Sequence, residues 1–173
     1  MKPARSRLKT LLWVLAELLV FLGVYLGVRA WLQRDMAEGP PPVDELQLID
    51  GQRVKLTDNR DRPLLIYFWA SWCGICGLER GSVDSIAHDW PVLTVAMQSG
   101  GPQDIRAYLE RHGLDWKVVA DPDGRLAARF GLRGVPAFFV LDPHGRIVSH
   151  ESGYTTEAGL RLRLWLAGKG ARD

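Results

Sequence analysis

Apolar and polar positions fall into blocks that mark the elements of the chain. The first block runs from Leu11 to Val28, eighteen residues broken only by Glu17, and Arg29, Trp31 and Arg34 follow it. A helix of that length rises about 27 Å at roughly 1.5 Å per residue, enough to cross the hydrocarbon core of a bilayer. Gly39-Pro40-Pro41-Pro42 then reads as a stiff, extended spacer. Leu46, Leu48 and Ile49 precede Asp50-Gly51, and Val54 and Leu56 follow, a pattern that predicts a β-hairpin with a tight Asp-Gly turn.

Pro63 to Trp69 is nearly continuous in apolar residues, as expected of a central strand buried on both faces. Two cysteines stand at its end, and Leu78 to His88 has helical character. Pro91 to Met97 repeats the strand signal, and Asp104 to His112 predicts a helix with Ile105, Tyr108 and Leu109 on one face. Trp116 to Ala120 is a further strand, and Leu126 to Phe130 a short helix stopped by Gly131. Ala137 to Leu141 and Arg146 to His150 form a hairpin across Asp142-Pro143-His144-Gly145. Thr156 to Leu166 closes the chain as a helix with Leu160, Leu164 and Trp165 inward. Strands alternating with helices, then a terminal hairpin and helix, predict an α/β layered domain around a sheet of mixed direction. The expected boundaries are a cytoplasmic N-terminus over 1–10, a transmembrane anchor over 11–32, a linker over 33–43 and a globular domain over 44–173.

Composition fits one domain plus a short extra segment: 173 residues, 47% hydrophobic, with seven Trp. Six of the 22 Lys and Arg lie at or before Arg34, against the single acid Glu17. The remaining 16 basic and 19 acidic residues balance at −3, and their interleaved signs give no basic patch for nucleic acid. Lys2, Arg5, Arg7 and Lys9 ahead of the apolar run favour a cytoplasmic N-terminus, which sends the rest of the chain across the membrane. A cleaved signal peptide would have a shorter apolar centre and a small-x-small exit site, whereas this run ends in Val28-Arg29-Ala30-Trp31. An uncleaved anchor is the expectation, with Glu17 tolerated as one ionisable group in a single span.

The two cysteines stand three apart in Trp69-Ala-Ser-Trp-Cys73-Gly-Ile-Cys76. A cysteine that ends a strand and opens a helix places its sulfur beside unsatisfied N–H groups, which stabilise a thiolate and make it a nucleophile. A second cysteine one turn later lies on the same face and can resolve a mixed disulfide. Cys73 is thus expected to attack and Cys76 to release the partner. Three other readings stand beside this one. A structural disulfide over so short a loop gives little entropic stabilisation. Half a zinc site with His144 and His150 would leave 67 residues between Cys76 and His144, with both histidines around a hairpin rather than on a finger helix. Two unrelated buried thiols would not need this spacing.

Trp69-Ala-Ser-Trp-Cys-Gly-Ile-Cys and Gly134-Val135-Pro136-Ala137-Phe138-Phe139-Val140-Leu141-Asp142 resemble the thioredoxin-like superfamily over roughly residues 44 to 168. The N-terminal hairpin, the inserted helix before Trp116 and the anchor look like its TlpA/ResA/DsbE/ScsD group. That group contains extracytoplasmic thiol oxidoreductases that serve cytochrome c maturation, copper-stress defence and related tasks. The resemblance implies a thioredoxin-like fold, with a central mixed sheet flanked by helices, preceded by one transmembrane helix. It implies that Pro136 is a cis-proline facing the disulfide, that Val135 precedes it on a strand that pairs with the partner, and that Trp72 lines the docking face. Trp69 can be plain core. Where thioredoxin proper has a buried aspartate six residues before its first cysteine, this chain has Tyr67. Relatives that place an acid in the central insert make Glu110 and Asp121 candidates for the same task. Asp121 is equally a turn residue, and Glu110 equally a solvated helix face.

These observations predict a protein-disulfide oxidoreductase without a small cofactor or metal, since the electrons reside on sulfur. Its partners would be an extracytoplasmic protein bearing a disulfide or an oxidised thiol, and a membrane electron donor. Gly74-Ile75 puts no charge beside Cys73, so a reducing or mildly oxidising protein is expected rather than a strong oxidant. The alternatives are a dithiol oxidase and a Cu(I) metallochaperone, although copper-delivery relatives separate their cysteines by three residues and this chain by two. A thiol peroxidase ranks lower, because the threonine such enzymes carry three residues before the nucleophile is Ala70 here.

Overall fold

The computed structural model describes residues 4–58 and 61–170, in two compact units, 1–34 and 35–173. Lys2 lies outside the described residues, as do the side chains of Arg5, Arg7, Lys9 and Arg29. The first unit is one helix, α1 (Ala4–Gln33), whose stretch Thr10–Val28 is long and apolar enough to cross a membrane. From Leu11 to Val28 its Leu, Val and Phe side chains are exposed all round, so the helix has no polar face to turn to water. The Arg34 guanidinium lies 5.7 Å from the Trp31 ring centroid at the far end.

The second unit is built on a five-stranded sheet in the order β5-β4-β3-β6-β7. Its central strand, β3 (Leu64–Trp69), is buried at every position. It runs parallel to β4 (Val92–Met97) and antiparallel to β6 (Ala137–Leu141). Beyond them lie β5 (Val118–Asp121), parallel to β4, and β7 (Ile147–Ser152), antiparallel to β6. Strand alternation divides the core in two. Leu64, Ile66 and Phe68 face a cluster that contains Leu46, Phe130 and Phe139. Leu65, Tyr67 and Trp69 face the other, with Val83, Ile86, Leu160 and Leu164 from the long helices α2 (Gly74–Asp89) and α5 (Glu157–Gly170). Helices α3 (Pro102–His112) and α4 (Arg125–Arg129) flank β5 in the chain. A separate hairpin joins β1 (Glu45–Gln47) to β2 (Arg53–Lys55), with Gly51 at a φ of 91° in its turn.

Two features depart from the sequence reading. Within the expected linker over 33–43, with its stiff spacer over 39–42, residues 36–39 are fastened to the globular unit. Met36 is buried in its core, the Ala37 N–H donates to the Phe130 carbonyl at 3.0 Å, and Gly39 forms an antiparallel bridge with Ile147. The proline run hid this because extended chain looks the same whether it is solvated or laid along a sheet edge. Gly131 takes part in the fit: its φ is 74°, and a Cβ there would collide with the Asp35 carbonyl. The second departure is Trp165, which is about half exposed on α5 under Lys169, while Leu160, Leu164 and Ala167 form the inward stripe. That stripe sets the helix phase, and Trp165 lies about 100° away from Leu164 on it.

Candidate functional site

The site forms where β3 runs out and α2 begins. Cys73 is the N-cap of α2, with extended backbone, and its sulfur accepts the Cys76 N–H at 3.2 Å. An N-cap position leaves the first-turn N–H groups pointing at that sulfur, which is where partial positive charge accumulates. Cys76, one turn further, is buried, while Cys73 is half-buried. The two are joined as a disulfide with Cα atoms 5.3 Å apart. The sulfur of Cys73 is therefore the one an incoming group can reach.

Across from the pair, Val135–Pro136 is a cis peptide bond. The Cys73 sulfur lies 3.7 Å from the Val135 carbonyl oxygen. Pro136 is buried, and its carbonyl accepts the Gly153 N–H at 2.9 Å, which ties the 153–155 turn to this strand end. Trp72 is 61% exposed, and its indole N–H donates to the Gln98 carbonyl at 3.1 Å. Ile75, Leu78 and Tyr154 are also exposed. Trp69, by contrast, is core, with its ring 4.8 Å from that of Tyr108. The structure thus brings Cys73, Cys76, Val135 and Pro136 together and leaves Trp72 as an exposed wall beside them.

The two candidate acids sit in different surroundings, and a third acid lies on the buried face of α2. Glu110 is exposed on α3. Asp121 is buried, but its carboxylate is occupied in accepting the Leu126 and Ala127 N–H groups at 3.0 and 2.9 Å, which caps α4. The acid in the core beneath the cysteines is Glu79, one turn after Cys76 on the buried face of α2. One carboxylate oxygen accepts the Thr155 N–H at 2.6 Å, and the other has no partner among the described residues. Burial disfavours its charged form and raises its pKa to about 7, against the opposing pull of the Thr155 hydrogen bond. Tyr67 shares this pocket. Its hydroxyl donates to the Cys76 carbonyl at 3.5 Å, and burial, reinforced by the Glu79 charge, holds the phenol protonated. The signal that could point to Glu79 is its spacing of three from Cys76, which puts the two on one side of a helix.

Comparison with known proteins places the domain among thioredoxin-like relatives. The AhpC/TSA family matches residues 41–150. A thioredoxin-like protein of Haemophilus influenzae is 32% identical over 124 residues, which cover 70% of this chain and 74% of that one. The thiol-disulfide oxidoreductase ResA of Halalkalibacterium halodurans is 24% identical over 159 residues, 88% of this chain and 90% of its own. Among solved structures, the pneumococcal exposed lipoprotein thioredoxin of Streptococcus pneumoniae superposes with a TM-score of 0.60 at 28% identity, covering 70% of this chain and 97% of that one. The chain belongs to the AhpC/TSA family, among its thioredoxin-like members.

Proposed function

We propose that this chain is a membrane-anchored, extracytoplasmic thiol–disulfide oxidoreductase that reduces disulfides of partner proteins through Cys73 and Cys76. The observation that carries the reading is the asymmetry of the pair: Cys73 caps α2 and is reachable, while Cys76 is buried one turn behind it. In the reduced form the Cys73 thiolate attacks a partner disulfide and forms a mixed disulfide, and one partner sulfur leaves as thiolate. Cys76 loses its proton, attacks Cys73 and releases the second partner sulfur. Two electrons pass to the partner, and the Cys73–Cys76 bond forms. A membrane dithiol donor would return them.

The remaining site residues have docking and proton-handling roles. Val135, beside Pro136, offers its carbonyl to an extended partner strand, and Trp72, Ile75, Leu78 and Tyr154 supply an uncharged rim around the disulfide. That rim favours target disulfides flanked by apolar or aromatic residues. Glu79 exchanges the proton of Cys76, since a carboxyl poised near 7 can hold or release one at working pH. Helix α1 is the anchor, with residues 1–10 on the cytoplasmic side and the globular unit on the other, and the basic start supports that direction. Names such as ResA and DsbE among the relatives support a place in cytochrome c maturation, and the resemblance to the copper-defence members leaves that task as the second candidate.

The test is capture of the intermediate. The full chain carrying Cys76→Ala, expressed with its anchor, should accumulate mixed disulfides through Cys73 that dithiothreitol dissolves. The wild type should reduce insulin with a dithiol donor. Recovery of disulfide-introducing activity without reduction would turn the direction round, and an absence of Cys73-linked species would defeat the proposal.

A further inference from the structure

Gln98 is the described non-glycine residue whose backbone adopts a positive φ, 48°. A side chain in that region is crowded by its own backbone, and glycine or asparagine is the usual occupant. Such a conformation persists only where the surroundings over-determine it. Here three contacts do so. The Gln98 N–H donates to the Asp121 carbonyl at 2.8 Å, and its side chain lies against Gly124, where an added Cβ would come within 3.4 Å of Nε2. Its carbonyl accepts the Trp72 indole N–H at 3.1 Å. The next residue completes the grip, because Ser99 Oγ accepts the Ser71 N–H at 2.9 Å and donates to the Met97 carbonyl at 3.0 Å. The loop after β4 therefore holds both residues that lead into Cys73.

We propose that Gln98 is a positioning residue: its left-handed backbone aims one carbonyl at Trp72 and fixes that indole as a rigid wall of the docking face. This inference rests on the docking role given to Trp72 above. A large exposed ring has several rotamers, and ordering one of them on partner binding subtracts from affinity. A hydrogen bond made in the free protein removes that loss in advance. The anchoring carbonyl belongs to a residue supported from Asp121 and Gly124, so the turn before α4 is part of the support for the wall beside Cys73.

The experiment uses the full chain in detergent micelles, labelled with 5-fluorotryptophan, with the Trp72 resonance assigned by Trp72→Phe. Gln98→Gly can adopt the same φ and should leave the Trp72 resonance in place and KM for a protein disulfide close to wild type. Gln98→Val disfavours that φ, so the Trp72 resonance should shift, and KM should rise roughly fivefold, the effect of about one hydrogen bond, with kcat held. In the Trp72→Phe background Gln98→Val should add nothing. If the valine variant does not fold, Gln98→Ala is read in the same way. An unmoved Trp72 resonance, or equal KM for the glycine and valine variants, overturns the proposal. A wild type that reduces no protein disulfide defeats the functional reading instead, and the resonance still reports on Gln98.

Discussion

The backbone N–H of Thr155 donates to the Glu79 carboxylate at 2.6 Å, across 76 residues of sequence. This contact joins the redox helix to the turn that carries Tyr154 and reaches Pro136 through Gly153. Glu79 therefore ties α2 to the 153–155 turn as well as lying one turn after Cys76 on the buried face of that helix.

Its titration gives the first prediction. The folded protein binds the Glu79 proton more tightly than the unfolded chain does, because burial raises the pKa from 4.5 to about 7. The stability this proton contributes is complete below the unfolded value and is lost as pH rises through about 7. Glu79→Gln keeps an oxygen for Thr155 and removes the charge. The variant should match wild type near pH 4 and exceed it above pH 7, by up to roughly 3 kcal/mol. Urea melts of both proteins across pH 4 to 8 check this, and parallel curves would show that Glu79 does not titrate as described. Turnover of the variant should be slow at the step that needs the Cys76 thiolate.

In the reduced protein, Cys73 should react with iodoacetamide with an apparent pKa below the ordinary thiol value of about 8.5, because it caps α2. Cys76 should stay unmodified until the fold opens, since it is buried. Peptide mapping after alkylation at several pH values distinguishes the two sulfurs. Equal reactivity would remove the basis for assigning the attack to Cys73.

Tyr154→Ser and Leu78→Ser remove exposed apolar surface from the docking rim proposed above. Each should raise KM for peptide disulfides flanked by Leu or Phe several-fold, by analogy with loss of about 1 kcal/mol of buried area per side chain. Peptides flanked by Asp should be poor substrates of wild type and variants alike. A wild type that shows no preference between the two peptide sets would refute the apolar rim.

Gly131→Ala tests the attachment of residues 35–43. The φ of 74° and the collision with the Asp35 carbonyl both oppose a side chain there. A loss on the order of 2 kcal/mol in urea melts is expected. Protease cleavage between Met36 and Val43 should become faster. Unchanged stability would mean that this segment is a free spacer after all.

The architecture was largely legible because its strands are short apolar blocks bounded by turn residues, and the cysteine spacing marked the site within them. Glu79 is not legible, because the sequence shows helical character only from Leu78 onward, whereas α2 starts at Gly74. Only with that start do Cys76 and Glu79 fall on one buried side. Arg80 beside it also makes the position look like a solvated face. Asp121 drew attention as an acid in the right stretch of chain, but acidity says nothing of what the carboxylate faces, and it faces the N–H groups of α4. Trp165 misled for a related reason: indole is apolar enough to be counted as core, and its cover turns out to be the Lys169 ammonium, 3.8 Å from the ring centroid.

The segment that precedes and follows β1 touches both margins of the sheet: Gly39 bridges Ile147 on β7, and the Ile49 N–H donates to the Val118 carbonyl on β5 at 2.8 Å. An open strand margin is a template for another chain. Two copies that meet with such margins open can pair strand to strand. By occupying backbone groups on each outer strand, the residues on either side of β1 leave less of either margin open to pairing with a second copy.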